Sequence, residues 1–187
     1  PYLAWTQAVG KFNLGAGIRY VHFTYNGASS VEPRLNIART WNSNTVTLAY
    51  SLSSQTQQTQ NYLSANNSGL AFTKSNQFSL EWRKRLPGDL NVVSSAYYHQ
   101  LFDAPVYVSN EMYNMLNQWD DYPSENMSNT GKGRNYGVEA YLEKRFYGDL
   151  YFMVSGSYYQ SQFLANGKYY DSRFNGSFTS SLLAGKE

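Results

Sequence analysis

The feature that most constrains this 187-residue chain is a long-range alternation of apolar and polar residues with a period of two. In one segment Phe78, Leu80 and Trp82 fall on one side, and Ser79 and Glu81 fall on the other. Successive side chains of a β-strand point to opposite faces, so this pattern predicts strands with two unlike faces. Because the same alternation recurs along most of the chain, we expect an all-β protein.

Nine segments of this kind can be placed on the sequence. They are predicted at 2–10, 12–25, 31–42, 45–54, 74–86, 89–103, 133–147, 149–163 and 172–186. Several are more than twice the usual strand length of about 5–6 residues. A tilted strand needs about 9–11 residues to cross a bilayer, so these lengths favour strands that span a membrane.

The connections alternate between tight and long, which is the second signal. Tight turns are predicted at Gly10-Lys11, Asn42-Ser43-Asn44, Pro87-Gly88-Asp89 and Tyr147-Gly148-Asp149, with residue types that accept positive φ. Longer polar connections are expected at 26–30, 55–73, 104–132 and 165–171. In an antiparallel sheet this order places all short turns at one end and all long loops at the other, as in transmembrane β-barrels.

We therefore predict an antiparallel, up-and-down transmembrane β-barrel segment, with residues 1–187 forming part of one barrel domain. Bacterial single-chain barrels have even numbers of strands. A count of nine, with ends that read as cuts, predicts an arc of a larger barrel whose ends lie elsewhere.

On this interpretation one face of the sheet meets lipid and the other faces a wet lumen. The charged residues expected in the lumen are Arg19, Arg34, Glu81, Arg83, Glu139, Glu143 and Arg145. The aromatic residues expected against lipid are Tyr20, Trp41, Tyr50, Trp82, Tyr98, Phe146 and Tyr158. The third strand fits least well, because Arg39 falls on the same side as Leu35 and Ile37.

Composition excludes several kinds of function. The sequence has no cysteine, which rules out disulfides, thiolate metal sites and a cysteine nucleophile. A net charge of +2 gives little electrostatic attraction to nucleic acid, so no nucleic-acid partner is expected. His22 and His99 are far apart in sequence, and the glycines at 131, 133 and 137 lead into a strand rather than a helix. We predict no enzyme activity, no cofactor and no metal site.

Five parts of the sequence resemble the barrel of Bacteroidetes-type TonB-dependent receptors. They are 32–37 (EPRLNI), Tyr97-Tyr98, Pro105-Val106, 129–139 (NTGKGRNYGVE) and 170–187. The resemblance implies a 22-stranded barrel closed by an N-terminal plug domain. It also implies energy-coupled import of a siderophore, cobalamin, glycan or peptide. The plug, the TonB contact and the barrel ends are expected to lie outside this chain.

The same resemblance implies a location and partners. The location is the outer membrane of a Gram-negative bacterium. The partners are membrane lipid, TonB through the missing plug domain, a surface lipoprotein over the lumen, and a small-molecule or oligomeric nutrient.

The connection 104–132 carries the candidate ligand-binding residues Tyr107, Tyr113, Trp119 and Tyr122. Aromatic rings on an exposed loop can stack on sugars or on apolar ligand surfaces. The alternative is that these rings pack the loop onto itself or onto the barrel rim, with a short helix at 110–119.

Two other functions stay open on the sequence alone. A passive porin or an outer-membrane enzyme barrel has the same strand pattern. A soluble β-sandwich that binds carbohydrate through its aromatic residues also alternates with a period of two.

Overall fold

The computed structural model describes residues 1–64, 66–118, 122–147 and 150–186. These residues form ten strands, one short helix and one 3₁₀ turn, so the prediction of an all-β protein is confirmed. The strands are β1 (Tyr2–Val9), β2 (Phe12–Phe23), β3 (Ala28–Trp41), β4 (Asn44–Gln55), β5 (Thr73–Leu86), β6 (Leu90–Tyr107), β7 (Met127–Tyr147), β8 (Leu150–Ala165), β9 (Lys168–Asp171) and β10 (Phe178–Lys186). Helix α1 covers Thr59–Leu63, and the 3₁₀ turn covers Asn67–Gly69. In the described ranges no helix is long and apolar enough to cross a membrane.

All strands belong to one antiparallel sheet in the order β1-β2-β3-β4-β5-β6-β7-β8-β10, with β9 also paired to β8. The first eight predicted strands correspond to β1–β8. The ninth, predicted at 172–186, begins only at Phe178 as β10, and the short strand β9 lies in the connection that was predicted at 165–171. Phe163 pairs with Tyr170 and Tyr158 with Phe178, so residues 172–177 leave the sheet opposite 159–161. We call this excursion the 172–177 bulge.

Three of the four predicted tight turns lie within the described residues, and all three are at their predicted positions. Gly10, Asn42, Gly88 and Asp89 all have positive φ, between 50° and 75°. Gly148 and Asp149 of the fourth predicted turn lie outside the described residues. These turns define the turn end of the sheet. At the other end, the loop end, the connections 56–72 and 108–126 are long, as predicted. The long connection predicted at 165–171 is wrong, because Asn166 and Gly167 alone join β8 to β9 in a tight turn.

Strands β6 and β7 extend furthest beyond their predicted ends toward the loop end. β6 continues to Tyr107 and β7 begins at Met127, so the connection between them is 108–126. Their pairing shifts register between Leu101 and Ala104 and again before Val106. Such bulges let pairing continue after an extra residue, which the alternation pattern does not reveal.

The outer face of the sheet is a continuous apolar surface. Register aligns one row across eight strands, formed by Leu14, Ile37, Leu48, Leu80, Ala96, Val138, Tyr158 and Phe178. Leu48 is 53% exposed, Leu80 49% and Val138 54%. A sandwich buries such residues against a second sheet, whereas the described residues form a single sheet with this row uncovered.

Arg39, the exception noted in the sequence, lies on this outer face. Its guanidinium lies 5.6 Å from the ring centroid of Phe12 and 5.7 Å from that of Trp41. Both rings are close to the turn end of the sheet. Cation–π contact with the two rings explains how a charge is accommodated here.

The buried core lies at the loop end, where the connections fold over the inner face. Its apolar members include Tyr62, Leu70, Phe72, Tyr107 and Phe163. The ring of Tyr62 on α1 lies 5.3 Å from Phe23 on β2, centroid to centroid. The loops are thus packed against the sheet and form the upper part of the inner surface.

Candidate functional site

The inner face is polar and carries the charged residues predicted for a lumen. Strand parity places Arg19, Arg34, Glu81, Arg83, Glu139 and Glu143 on it. The described aromatic residues predicted against lipid, Tyr20, Trp41, Tyr50, Trp82, Tyr98 and Tyr158, lie on the outer face with Leu48 and Leu80. The side chains of Arg145 and Phe146 lie outside the described residues.

A large pocket of about 660 Å³ opens on the inner face; we call it the lower pocket. It is lined by Ser79, Glu81, Ser95, Tyr97, His99, Asn135, Glu139, Tyr159, Gln160, Ser161 and Phe174. Its volume lies within the range of about 300–1,000 Å³ that is usual for ligand pockets. Rings and carboxylates therefore share one concave surface.

Gly137 on β7 leaves space for the Tyr97 side chain of the lower pocket and for the backbone of β8. A Cβ atom there would lie 2.9 Å from the Tyr97 hydroxyl oxygen and 2.6 Å from the backbone oxygen of Tyr158. Gly131 and Gly133 meet neighbouring backbone oxygens in the same way. These glycines permit close packing in the sheet, in agreement with the view that they do not form a phosphate loop.

A smaller pocket of about 230 Å³, the upper pocket, lies at the loop end. Its lining is Gln55, Thr56, Gln57, Gln58, Asn61, Thr73, Leu101, Met115, Leu116, Gln118 and Phe174. None of these residue types carries a charge at neutral pH. Phe174 is the residue that lines both pockets.

Asparagine side chains fix the connections that surround the upper pocket. Asn129 Oδ1 accepts a hydrogen bond from the backbone of Ala71 (2.8 Å), and its Nδ2 donates to the backbone oxygen of Asp103 (2.8 Å). Asn67 donates to the backbone oxygen of Glu125 (3.1 Å) and accepts from the backbone of Met127 (2.8 Å). The connection 56–72 is thereby joined to β6 and β7.

Tyr62, in the connection 56–72, is buried at the same end of the sheet. Its hydroxyl accepts a hydrogen bond from the Gln57 backbone at 3.0 Å. Burial raises the pKa of the Tyr62 phenol, and the hydrogen bond from Gln57 opposes that rise in part. The packed arrangement thus favours the neutral phenol.

The four candidate loop residues are placed differently from one another. Tyr107 is 7% exposed, and its ring stacks on Tyr113 with centroids 3.8 Å apart. Its hydroxyl also accepts a hydrogen bond from the Ser124 backbone at 2.9 Å. Tyr122 is 74% exposed, whereas Trp119 lies outside the described residues. The Tyr107–Tyr113 stack packs the loop, and Tyr122 is open to a ligand.

The short helix predicted at 110–119 is wrong for the described part, 110–118. The segment turns back along the end of β6, and the Tyr107 backbone N–H donates to Tyr113 O at 3.1 Å. Asn110 and Asn114 each accept a hydrogen bond from the backbone two residues on, at 3.0 Å. Asparagine in this role favours turns over helix, which explains the error.

The two histidines lie on opposite faces of the sheet. His22 is on the outer face, where its Nδ1 lies 2.9 Å from the Ser29 hydroxyl, and His99 lines the lower pocket. They cannot share a ligand. Across the described residues, no group of three or more His, Asp or Glu side chains could hold a metal ion.

Sequence reasoning missed Phe174, an aromatic residue that lines both pockets. The prediction of a strand at 172–186 includes it, although Asn175-Gly176 in that range is a dipeptide typical of turns. The glutamines of 55–58 were interpreted as plain loop polarity. Their abundance in one connection was the available signal.

The sequence matches no protein-family model, and no curated protein matches it. Its fold is similar to that of the FrpB iron transporter from Neisseria meningitidis (F3-3 variant), with a TM-score of 0.68 and 16% identity over 97% of this chain. The apoprotein form of the F5-1 variant gives a TM-score of 0.65, also at 16% identity and 97% coverage. The chain spans 29% of the length of each of these structures. At this identity the likeness concerns the fold alone.

Proposed function

We propose that this chain is part of an outer-membrane, TonB-dependent receptor that imports a scarce nutrient by energy-coupled transport. The observation that carries the proposal is the uncovered apolar row through Leu48, Leu80 and Val138. This apolar row fits a lipid environment, because a sheet satisfies its backbone hydrogen bonds internally and can present apolar side chains to hydrocarbon.

The polar inner face supports the transport part of the proposal. The lower pocket and the loops folded above it give that face a ligand-sized surface. The fold likeness to a solved transporter agrees with this function. Iron is the cargo of FrpB, and nothing in the pockets assigns it to this chain.

The partners follow from the proposed class. Lipid of a Gram-negative outer membrane surrounds the barrel, and TonB acts through a plug domain in the longer protein. A surface lipoprotein covers the loop end. The nutrient meets the connection 108–126 first, through Trp119 and Tyr122, and the stacked rings of Tyr107 and Tyr113 hold the loop in shape.

Transport assays on the full-length protein test the proposal. Expressed in a Gram-negative host, it should fractionate with the outer membrane and migrate faster on a denaturing gel before heating than after it. Nutrient uptake should stop when TonB is deleted. Uptake that persists without TonB would favour a passive porin, and recovery in the soluble fraction without detergent would refute the barrel.

A further inference from the structure

Phe174 lies at the junction of the two pockets on the inner face. It lines both of them and is 45% exposed. Its position follows from the 172–177 bulge, which carries it out of the plane of the strand. Bulges of this kind re-aim side chains and are frequent beside functional sites.

Hydrogen bonds to β8 hold the bulge. The Ser172 backbone donates to Ser161 O at 2.9 Å, and its hydroxyl donates to the Ser161 hydroxyl at 2.8 Å. Asn175 Oδ1 accepts from the Ser161 backbone at 3.2 Å. Ser161 thus anchors the bulge from both sides of Phe174.

A contact from the connection 108–126 holds the bulge on its other side. The Arg173 backbone donates to Asn117 Oδ1 at 2.7 Å. This bond joins the backbone next to Phe174 to the residue that precedes Gln118, which lines the upper pocket. Hydrogen bonds of Ser172, Arg173 and Asn175 thus restrain the backbone on both sides of Phe174.

The walls of the upper pocket can both donate and accept hydrogen bonds. Carboxamides have two N–H donors and an acceptor oxygen, the same functions that a sugar hydroxyl combines. The Gln57 side chain is already hydrogen-bonded within the protein, since its Nε2 donates to Ala71 O at 2.8 Å and to the Thr73 hydroxyl at 3.0 Å. Within the described chain, the side chains of Gln55 and Gln118 make no hydrogen bond.

Asn61, which also lines the upper pocket, is a buried side chain whose hydrogen bonding is incomplete among the described residues. It is buried, and its Nδ2 contacts the Met115 sulfur at 3.1 Å, a weak acceptor. Its Oδ1 has no hydrogen-bond partner among the described residues. Buried polar groups are normally paired, and exceptions concentrate at functional positions.

We infer that Phe174, Gln55 and Gln118 bind a neutral, hydroxyl-rich ligand, an oligosaccharide, in the upper pocket, which adjoins the lower pocket at Phe174. The ring stacks on one face of a sugar, and the carboxamides bond its hydroxyls. Among the described residues, no charged side chain lines the upper pocket, so they offer no counter-ion to an ionised ligand. The inference rests on the proposed function and names the substrate class of that receptor.

Equilibrium binding to the full-length protein in detergent tests this inference. Maltohexaose, xylohexaose and an inulin-type fructan serve as neutral probes, measured by calorimetry. At least one should bind, and Phe174→Ala should weaken it roughly tenfold through loss of stacking. Phe174→Trp should retain binding. Phe178→Ala, a matched change on the outer face of β10, should leave the affinity unchanged.

The outcomes separate the site from the receptor function. If none of the three probes binds, or if Phe174→Ala binds as tightly as wild type in a correctly heat-modifiable protein, the inference is overturned. TonB-dependent uptake of another nutrient would in that case leave the proposed function standing. Oligosaccharide binding with TonB-independent uptake would support the site and refute the receptor.

Discussion

Glu32 on β3 accepts both hydrogen bonds that Ser54 on β4 can donate. The Ser54 backbone N–H and its hydroxyl lie 2.9 and 2.5 Å from Glu32 Oε1. Glu32 is 1% exposed, and its other oxygen lies 3.7 Å from Arg19 and 3.9 Å from Arg34. A buried carboxylate thus joins three neighbouring strands on the inner face.

Removing this carboxylate should destabilise the protein. We expect Glu32→Ala to lower the free energy of unfolding by about 1–3 kcal/mol, because the two Ser54 donors lose their acceptor. The two arginines are half exposed, so their loss of attraction adds little. Urea unfolding of the folded protein in detergent measures the change.

Glu81→Ala is the control variant. It removes a more exposed carboxylate, paired with Arg83 at 3.1 Å, and should change stability by less than about 1 kcal/mol. Equal losses of stability in Glu32→Ala and Glu81→Ala would contradict the stabilising role of the buried Glu32 carboxylate.

Asn129 should control the order of the connection 56–72. Asn129→Ala removes its bonds to Ala71 and Asp103, so we expect roughly tenfold faster amide exchange at 70–72. Hydrogen exchange with mass spectrometry measures it. The hydroxyl of Ser128 contacts only Thr130 among the described residues, so Ser128→Ala is the control. Unchanged exchange in Asn129→Ala would show that apolar packing alone holds the connection.

Alkaline pH should detach α1 from the sheet, because it ionises the buried Tyr62 phenol. Burial raises the pKa of Tyr62, so its contribution to packing is complete below about pH 10, the value for an unfolded tyrosine. That contribution is lost as the pH rises through the folded-state value. A spin label on Ser68→Cys, in a chain without native cysteine, should become mobile at high pH. In Tyr62→Phe the label should mobilise at a higher pH, and identical transitions would contradict this role.

The loop aromatics should divide into packing and ligand contact. We expect Trp119→Ala with Tyr122→Ala to abolish uptake while heat-modifiable migration stays normal, because Tyr122 is exposed. Tyr107→Ala should instead loosen the loop, since it loses the stack on Tyr113. Limited proteolysis at 108–126 distinguishes the two effects. Normal uptake in the double variant would remove the loop from the ligand site.

The strands and their faces were predictable because period-two alternation is a local property. Leu48, Leu80 and Val138 could be assigned to one face from their neighbours alone. Turn residues such as Gly88 and Asp89 were equally local, since their positive φ depends on residue type.

Other features depended on contacts between distant segments. Ser161 fixes the 172–177 bulge from another strand, and Asn117 does so from a loop. The return of 110–118 along β6 likewise rests on pairing with Val106. Alternation within one segment carries no information about such contacts, so Phe174 and the upper pocket emerged only from the structure.

The central claim is that hydrocarbon covers the outer face, and spin-label accessibility tests it most directly. Single cysteines replace Leu48, Leu80 and Val138 on that face, and Thr47, Ser79 and Glu139 on the inner face. In lipid vesicles, labels on the first set should collide with dissolved oxygen and be shielded from a water-soluble nickel complex. Labels on the second set should show the reverse. Outer-face labels that are immobilised and shielded from both reagents, in a protein that stays soluble without detergent, would contradict the account.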